Sequence, residues 1–184
     1  MVLCGLEHKD WSVMERTGEI ITAMIHYYEG DTKRINHFLK VYGFAKAIGE
    51  RESLPEEEQL ILEIAALTHD IGIRNSERQY HSSAGNYQQI VGPPEARKLL
   101  KEKSVPENII ERVCWLIAHH HTYSEIKGMD YQILVEADFL VNAFEDMLGE
   151  KEIRHFEEKI MKTVAGKEFL DKIYFGRSVD EKNN

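Results

Sequence analysis

The chain has 184 residues, a length that suits one domain, and its 42% hydrophobic residues are enough to build a core. Its 23 Lys and Arg stand against 32 Asp and Glu, a formal net charge of -9 with histidine neutral, so the surface repels long nucleic acid but leaves room for a pocket taking one phosphate. No apolar run approaches the roughly 20 residues needed to cross a bilayer, the start lacks a basic region followed by an apolar core, and Cys4 and Cys114 form no cluster; the expectation is a cytoplasmic protein with no membrane partner.

Few prolines, and apolar residues at three- and four-residue spacing, predict helices throughout. The first runs from about Val13 to Tyr28 and stops at Glu29-Gly30. Asp31-Thr32 then caps a second that reaches about Gly49. Ser53-Leu-Pro-Glu56 pairs a capping serine with a glutamate three residues on, and Ser104-Val-Pro-Glu107 repeats the device, so both mark helix starts. The first start leads through Leu60-Ile-Leu-Glu-Ile-Ala-Ala-Leu-Thr68 to His69-Asp70, and the acidic run Glu56-Glu-Glu58 meets the positive end of the helix dipole. The second leads through Ile109 to Ala118 and delivers His119, His120 and His121. Ile71 to Gly92, polar and glycine-bearing, reads as a loop with a short helix facing substrate. Tyr131 to Leu148 is apolar over more than half its surface and should lie centrally. Lys151 to Val164 and Lys167 to Tyr174 read as shorter helices, and residues 177–184 as a polar, frayed tail.

The chemistry concentrates at His69-Asp70. A carboxylate at the buried end of an apolar helix must be neutralised, hydrogen-bonded or bound to a cation, and a metal ion satisfies it and its histidine neighbour together. His37 shares one helical face with Arg34, Lys40 and Val41. Asp138 lies within Ile133-Leu-Val-Glu-Ala-Asp-Phe-Leu-Val-Asn142, with Leu134, Val135, Val141 and Asn142 as its helical neighbours. It is either a buried aspartate paired with an arginine or capping a helix, or a metal ligand, and the apolar setting it shares with the dipeptide favours the ligand. A mixed nitrogen and oxygen donor set suits manganese, iron, cobalt, nickel or zinc better than calcium.

The order His37, His69-Asp70, Asp138, with the strings Ala65-Ala-Leu-Thr-His-Asp-Ile-Gly72 and Val135-Glu-Ala-Asp138, resembles the HD-domain metal-dependent phosphohydrolase superfamily over about residues 31–148. The resemblance implies an all-α helical bundle; with the length of the chain this makes one compact domain over 1–184, its terminal helices over about 150–175 read from the apolar pattern. It implies His37, His69, Asp70 and Asp138 as ligands to one divalent metal, two being possible and magnesium among the candidates, and hydrolysis of a small phosphate ester, commonly a nucleotide. The branch that cleaves cyclic dinucleotides carries a lysine where Ile73 stands here and a Gly-Tyr-Pro element that is absent, so that branch is disfavoured. Two-metal branches add histidines between the HD pair and the last aspartate; His81 and the run His119-His120-His121 are the candidates, and one helix end can aim only one or two of that run at an ion.

The resulting reading makes Asp70 the group that orients or deprotonates water and His119 or His120 the proton donor or phosphate contact. Arg34, Lys40 and Arg74 are the candidate phosphate clamps. The alternatives are a histidine-rich di-iron oxygenase of the same fold and a non-catalytic nucleotide-sensing domain. Composition leaves the oligomeric state open.

Overall fold

The computed structural model describes residues 13–176, and over them the chain is nine helices with no strand. They are α1 (Val13–Tyr27), α2 (Thr32–Arg51), α3 (Glu56–Thr68), α4 (Ile73–Tyr80), α5 (Gly85–Glu102), α6 (Glu107–His119), α7 (Met129–Glu145), α8 (Glu150–Lys159) and α9 (Val164–Tyr174). The expected polar tail at 177–184 and Cys4 lie outside the described residues. Among the described residues no helix is long and apolar enough to cross a membrane.

Every residue of α3 from Leu60 to Thr68 is buried, because α1, α2, α6 and α7 surround it. Helix α7 lies against α2 and α3 and buries most of its length, as its apolar pattern implies. One continuous apolar cluster joins Met24, Phe38, Leu62, Leu67, Ile110, Leu116, Ile133 and Leu140. The hairpins α2–α3 and α5–α6 are each closely packed and meet through α3 and α6, while α7 packs on α2 as extensively as α3 does.

The two serine strings mark the right places by a different device. Helices α3 and α6 start at Glu56 and Glu107, but their N-caps are Pro55 and Pro106, without a side-chain cap. Ser53 and Ser104 instead end the preceding helices in the left-handed region, at φ 58° and 55°. Leu54 N–H donates to Gly49 O (3.0 Å) and Ser53 N–H to Glu50 O (3.2 Å); Val105 N–H donates to Leu100 O (3.1 Å) and Ser104 N–H to Lys101 O (3.0 Å). This is the Schellman closure, with serine where glycine is usual.

The segment 71–92 is mostly helical, where the sequence pattern predicts a loop with a short helix. Helix α4 occupies its first half and α5 begins at Gly85 and continues through Pro93 and Pro94. Two prolines remove helical donors to the carbonyls of Gln89 and Ile90, a local cost that packing offsets. Helix α5 lies along α6, Cys114 Sγ donates to Pro93 O (3.3 Å), and the backbone at Gly72 meets α5 at Gly92.

Candidate metal centre

His69 is the C-cap of α3 and Asp70 follows it in the turn. That turn is held from α1's end: Tyr28 OH donates to Asp70 O (2.7 Å) and Tyr27 OH to Ile71 O (3.3 Å), which occupies carbonyls a helix end otherwise leaves open. His37 comes from the buried face of α2 and Asp138 from the middle of α7. His37 Nε2 stands 3.2 Å from His69 Nε2, 3.3 Å from Asp138 Oδ1 and 3.5 Å from Asp70 Oδ2; His69 Nε2 is 3.5 Å from both Asp70 Oδ2 and Asp138 Oδ1. Asn142, one turn after Asp138, donates Nδ2–H to Asp138 Oδ1 (2.9 Å) and fixes that carboxylate. Among the described residues, Asp138 pairs with no arginine.

The donor roles show what this cluster lacks. His37 Nδ1 faces Glu145 Oε2 at 3.0 Å and His69 Nδ1 faces Ala66 O at 2.9 Å, so each ring donates its Nδ1–H outward. The Nε2 lone pairs then face one another and two carboxylates, an arrangement that requires a cation at its centre, either protons or a metal. Donor atoms about 2.0–2.2 Å from one tetrahedral ion stand about 3.3–3.6 Å apart, and the spacings here fall at that scale. The residues fit a divalent ion. Without one, protons take its place. Burial pulls both imidazoles down, but Asp138 and Asp70 outweigh it, so His37 is raised and His69 is raised to about 9. Asp70 and Asp138, which burial alone would push up, are held below the ordinary carboxylate range, Asp70 by His69 and His120 and Asp138 by His37 and His69.

A second group adjoins the first and shares Asp70. Ligand atoms of Asp70, His120 and His121 lie within 4.8 Å of one another. His120 donates Nδ1–H to Ile117 O (2.8 Å), and its buried Nε2, 3.6 Å from Asp70 Oδ1, has no hydrogen-bond partner. An orphaned buried nitrogen aimed at a carboxylate is the signature of a missing ion or proton. His121 rests against Gln88 Oε1 (3.4 Å), and burial and His120 push it down to about 4, so it is neutral. A Cβ on Gly85 would stand 2.6 Å from the His121 ring, so glycine at the start of α5 makes room for it.

Not every candidate reaches the site. His119 stacks on Trp115 (centroids 4.2 Å apart) and gives Nδ1–H to Trp115 O, because its place on α6 points it away from the cluster. His81 is exposed at the left-handed end of α4. The site opens into a cavity of about 440 Å³ lined by Lys33, Arg34, Gln88, His121, Glu145 and Asp146 among others. The expected clamps are differently engaged. Arg34 reaches its wall, but its guanidinium is bound at 2.6 Å to both Asp31 and Glu77. Lys40 is paired with Glu145, and Arg74 donates to Tyr27 O (2.7 Å) and lies over the Tyr27 ring. Glu145 is a site residue that the order of the sequence motifs does not single out, although it lies two helical turns from Asp138 on the same face of α7.

The family model described as HD domain matches residues 34–163. This chain belongs to the HD domain family. The matched stretch contains the dipeptide His69-Asp70. Among curated proteins, the bifunctional uridylyltransferase/uridylyl-removing enzyme of Cupriavidus pinatubonensis (strain JMP 134 / LMG 1197) is 30% identical over 105 residues. That match takes in 57% of this HD chain but 10% of the enzyme. A crystal structure of a predicted HD superfamily hydrolase from an uncultured Thermotogales bacterium superposes with a TM-score of 0.62 at 23% identity, over 86% of this chain and 84% of that one. At that identity the likeness establishes the shared all-α fold.

Proposed function

We propose that this HD domain is a metal-dependent phosphohydrolase acting on a small phosphate ester, a nucleotide being the best candidate. The observation that carries the reading is the facing pair of His37 and His69 Nε2 atoms, 3.2 Å apart between Asp70 and Asp138, with both Nδ1–H groups committed elsewhere. His37, His69, Asp70 and Asp138 would hold one divalent ion, and Asp70, His120 and His121 offer a place for a second. When bound, such an ion supplies Lewis acidity, lowering the pKa of water and drawing charge off a phosphoryl group. Asp70, kept ionised by its histidine neighbours, accepts a hydrogen bond from the attacking water and orients it. His120 gives Nδ1–H to Ile117 O, so only its doubly protonated form, carrying a second proton on the otherwise unpartnered Nε2, would pass that Nε2 proton to the leaving oxygen, and only if no second ion occupies it.

The cations at the cavity argue for a substrate with a single phosphate. Arg34 on the wall and Lys40, which lies behind the wall residue Glu145, are matched by carboxylates, while Asp146 is exposed at the same wall; Lys33 is the lining cation with no ion pair among the described residues. A triphosphate would bring more negative charge than these groups meet. The name of the Cupriavidus relative, which includes uridylyl removal, supports a nucleotide.

The di-iron oxygenase reading draws on the second histidine group sharing Asp70. Elemental analysis of the purified protein, with phosphate release across a nucleotide panel and oxygen uptake on the same samples, separates the two. Phosphate release that depends on the metal supports hydrolysis. Two irons with oxygen consumption and no phosphate release would replace it.

A further inference from the structure

Three imidazoles turn Nε2 toward the candidate metal centre, and their anchors differ. His69 and His120 each give Nδ1–H to a backbone carbonyl three residues earlier on their own chain segment, Ala66 O at 2.9 Å and Ile117 O at 2.8 Å. Local helical geometry therefore sets those two rings. His37 lies in the second turn of α2, inside the helix rather than at its C-terminal end, and its Nδ1 meets the Glu145 carboxylate of α7 at 3.0 Å. Glu145 is largely covered, with its side chain 12% exposed, and its other oxygen is bound by Lys40, one helical turn after His37.

From this arrangement, and on the reading of the site as a metal centre, we infer that Glu145 is its positioning residue: it fixes His37 in the tautomer that aims Nε2 at the ion, with Lys40 as counter-ion. The carboxylate selects which nitrogen carries the proton, orients the ring, and makes the opposite nitrogen a stronger donor. Lys40 holds the other oxygen of Glu145 and so directs the carboxylate at His37, and the residue that the sequence offers as a phosphate clamp acts one contact further back. Because Glu145 is the last residue of α7 and Asp138 lies on the same helix, one element carries both a direct ligand and the support of another.

The test is metal affinity, measured on metal-free full-length protein by competition with a chromophoric chelator using cobalt or zinc. Glu145→Gln keeps an acceptor of the same shape and loses the charge, and Glu145→Ala loses both. Binding should weaken in that order, by about 10-fold and up to about 100-fold. Lys40→Met, which leaves the carboxylate in place, should retain more affinity than Glu145→Gln. In the zinc-loaded form, the exchangeable Nδ1–H proton of His37 should be visible by NMR in the wild type and lost or shifted in Glu145→Ala, a change that a purely structural role would not produce. Equal affinity of the wild type and both Glu145 variants overturns the inference while leaving the metal reading intact. So does Lys40→Met falling as far as Glu145→Ala, because the pair would then act as a structural brace. A wild type that takes up no ion overturns the metal reading and this inference with it.

Discussion

Gly72 follows the His69-Asp70-Ile71 turn with an ordinary helical backbone, φ -70° and ψ -19°, so local conformation alone would accept alanine there. The obstacle is space. A Cβ at this position would stand 2.9 Å from Gln88 O, Gly92 Cα and Gly92 N, all backbone atoms of α5. Helix α5 is itself packed along α6, and a Cβ on Gly92 would stand 2.8 Å from the Ile117 side chain and 3.7 Å from Gly72 N, so the crowding at this crossing is shared by all three elements. Gly72→Ala must therefore push one backbone away from the other, an overpacking that costs about 1–3 kcal/mol. At about 2–4 °C per kcal/mol for a domain of this size, a mid-range cost of about 2 kcal/mol lowers the melting temperature by about 4–8 °C. Gly43→Ala is the matched control: it is exposed inside α2, and its Cβ would meet nothing within 4 Å, so the same change should stabilise by about 0.5–1 kcal/mol. Differential scanning calorimetry of the two variants reads the opposite signs directly. A Gly72→Ala protein that melts at or above the wild type would refute the close-approach argument.

Asp70→Ala or His69→Ala should abolish metal uptake while leaving the helical circular dichroism largely intact, because each removes a donor without touching the apolar faces that hold α3; retained metal at wild-type affinity counts against the site. Among adenosine 5′-phosphates, the monophosphate should exceed the triphosphate in kcat/KM by about tenfold, because Arg34 and Lys40 are already matched by carboxylates and Lys33 alone is left to meet the added charge; a preference for the triphosphate in steady-state kinetics would show that the Arg34 and Lys40 pairs open to substrate. Metal removal should make stability depend on pH. His69 in the folded, metal-free protein is raised to about 9, against about 6.5 unfolded, so its contribution is complete below about pH 6.5 and is lost as pH rises through 9. Chelator-treated protein should melt lower at pH 9 than at pH 6.5, and metal-loaded protein should lose less, since the ion stands where the proton was; equal losses in thermal scans of both forms would contradict this.

The helices whose starts carry Pro-Glu signals, α3 and α6, are legible in the sequence because those signals are local, and so is the apolar helix carrying Asp138. Helix α5 is not. Gly85, Gly92, Pro93 and Pro94 each argue against a helix within a short window, and what overrides them is contact with α6 and with Gly72, which no window contains. The same division runs through the candidate site. His37, His69, Asp70 and Asp138 can be named from their order and their apolar settings, and the structure brings the four together. The engagement of the cations can be read only in part: Asp31, three residues before Arg34, is a local partner, but Glu77, which also binds Arg34, and Glu145, which binds Lys40, lie 43 and 105 residues further along. The distinction among His119, His120 and His121 turns on helix rotation and on Trp115, which gives His119 a stacking partner instead of a place in the cluster.

The paired Schellman closures at Ser53 and Ser104 have a mechanical consequence. Each four-residue string ends one helix and begins the next with no slack, so α2–α3 and α5–α6 are folded rulers whose corner is a hydrogen-bonded joint. The His37 and His69 rings lie toward the open arms of one ruler, and His120 at the tip of the other. A residue inserted into one arm beside either corner would shift that arm by about 1.5 Å along its axis and turn it by about 100°, swinging the ring off its ligand direction from a point in the chain far from any ligand. Length at these two corners is therefore as constrained as the identity of the histidines they align.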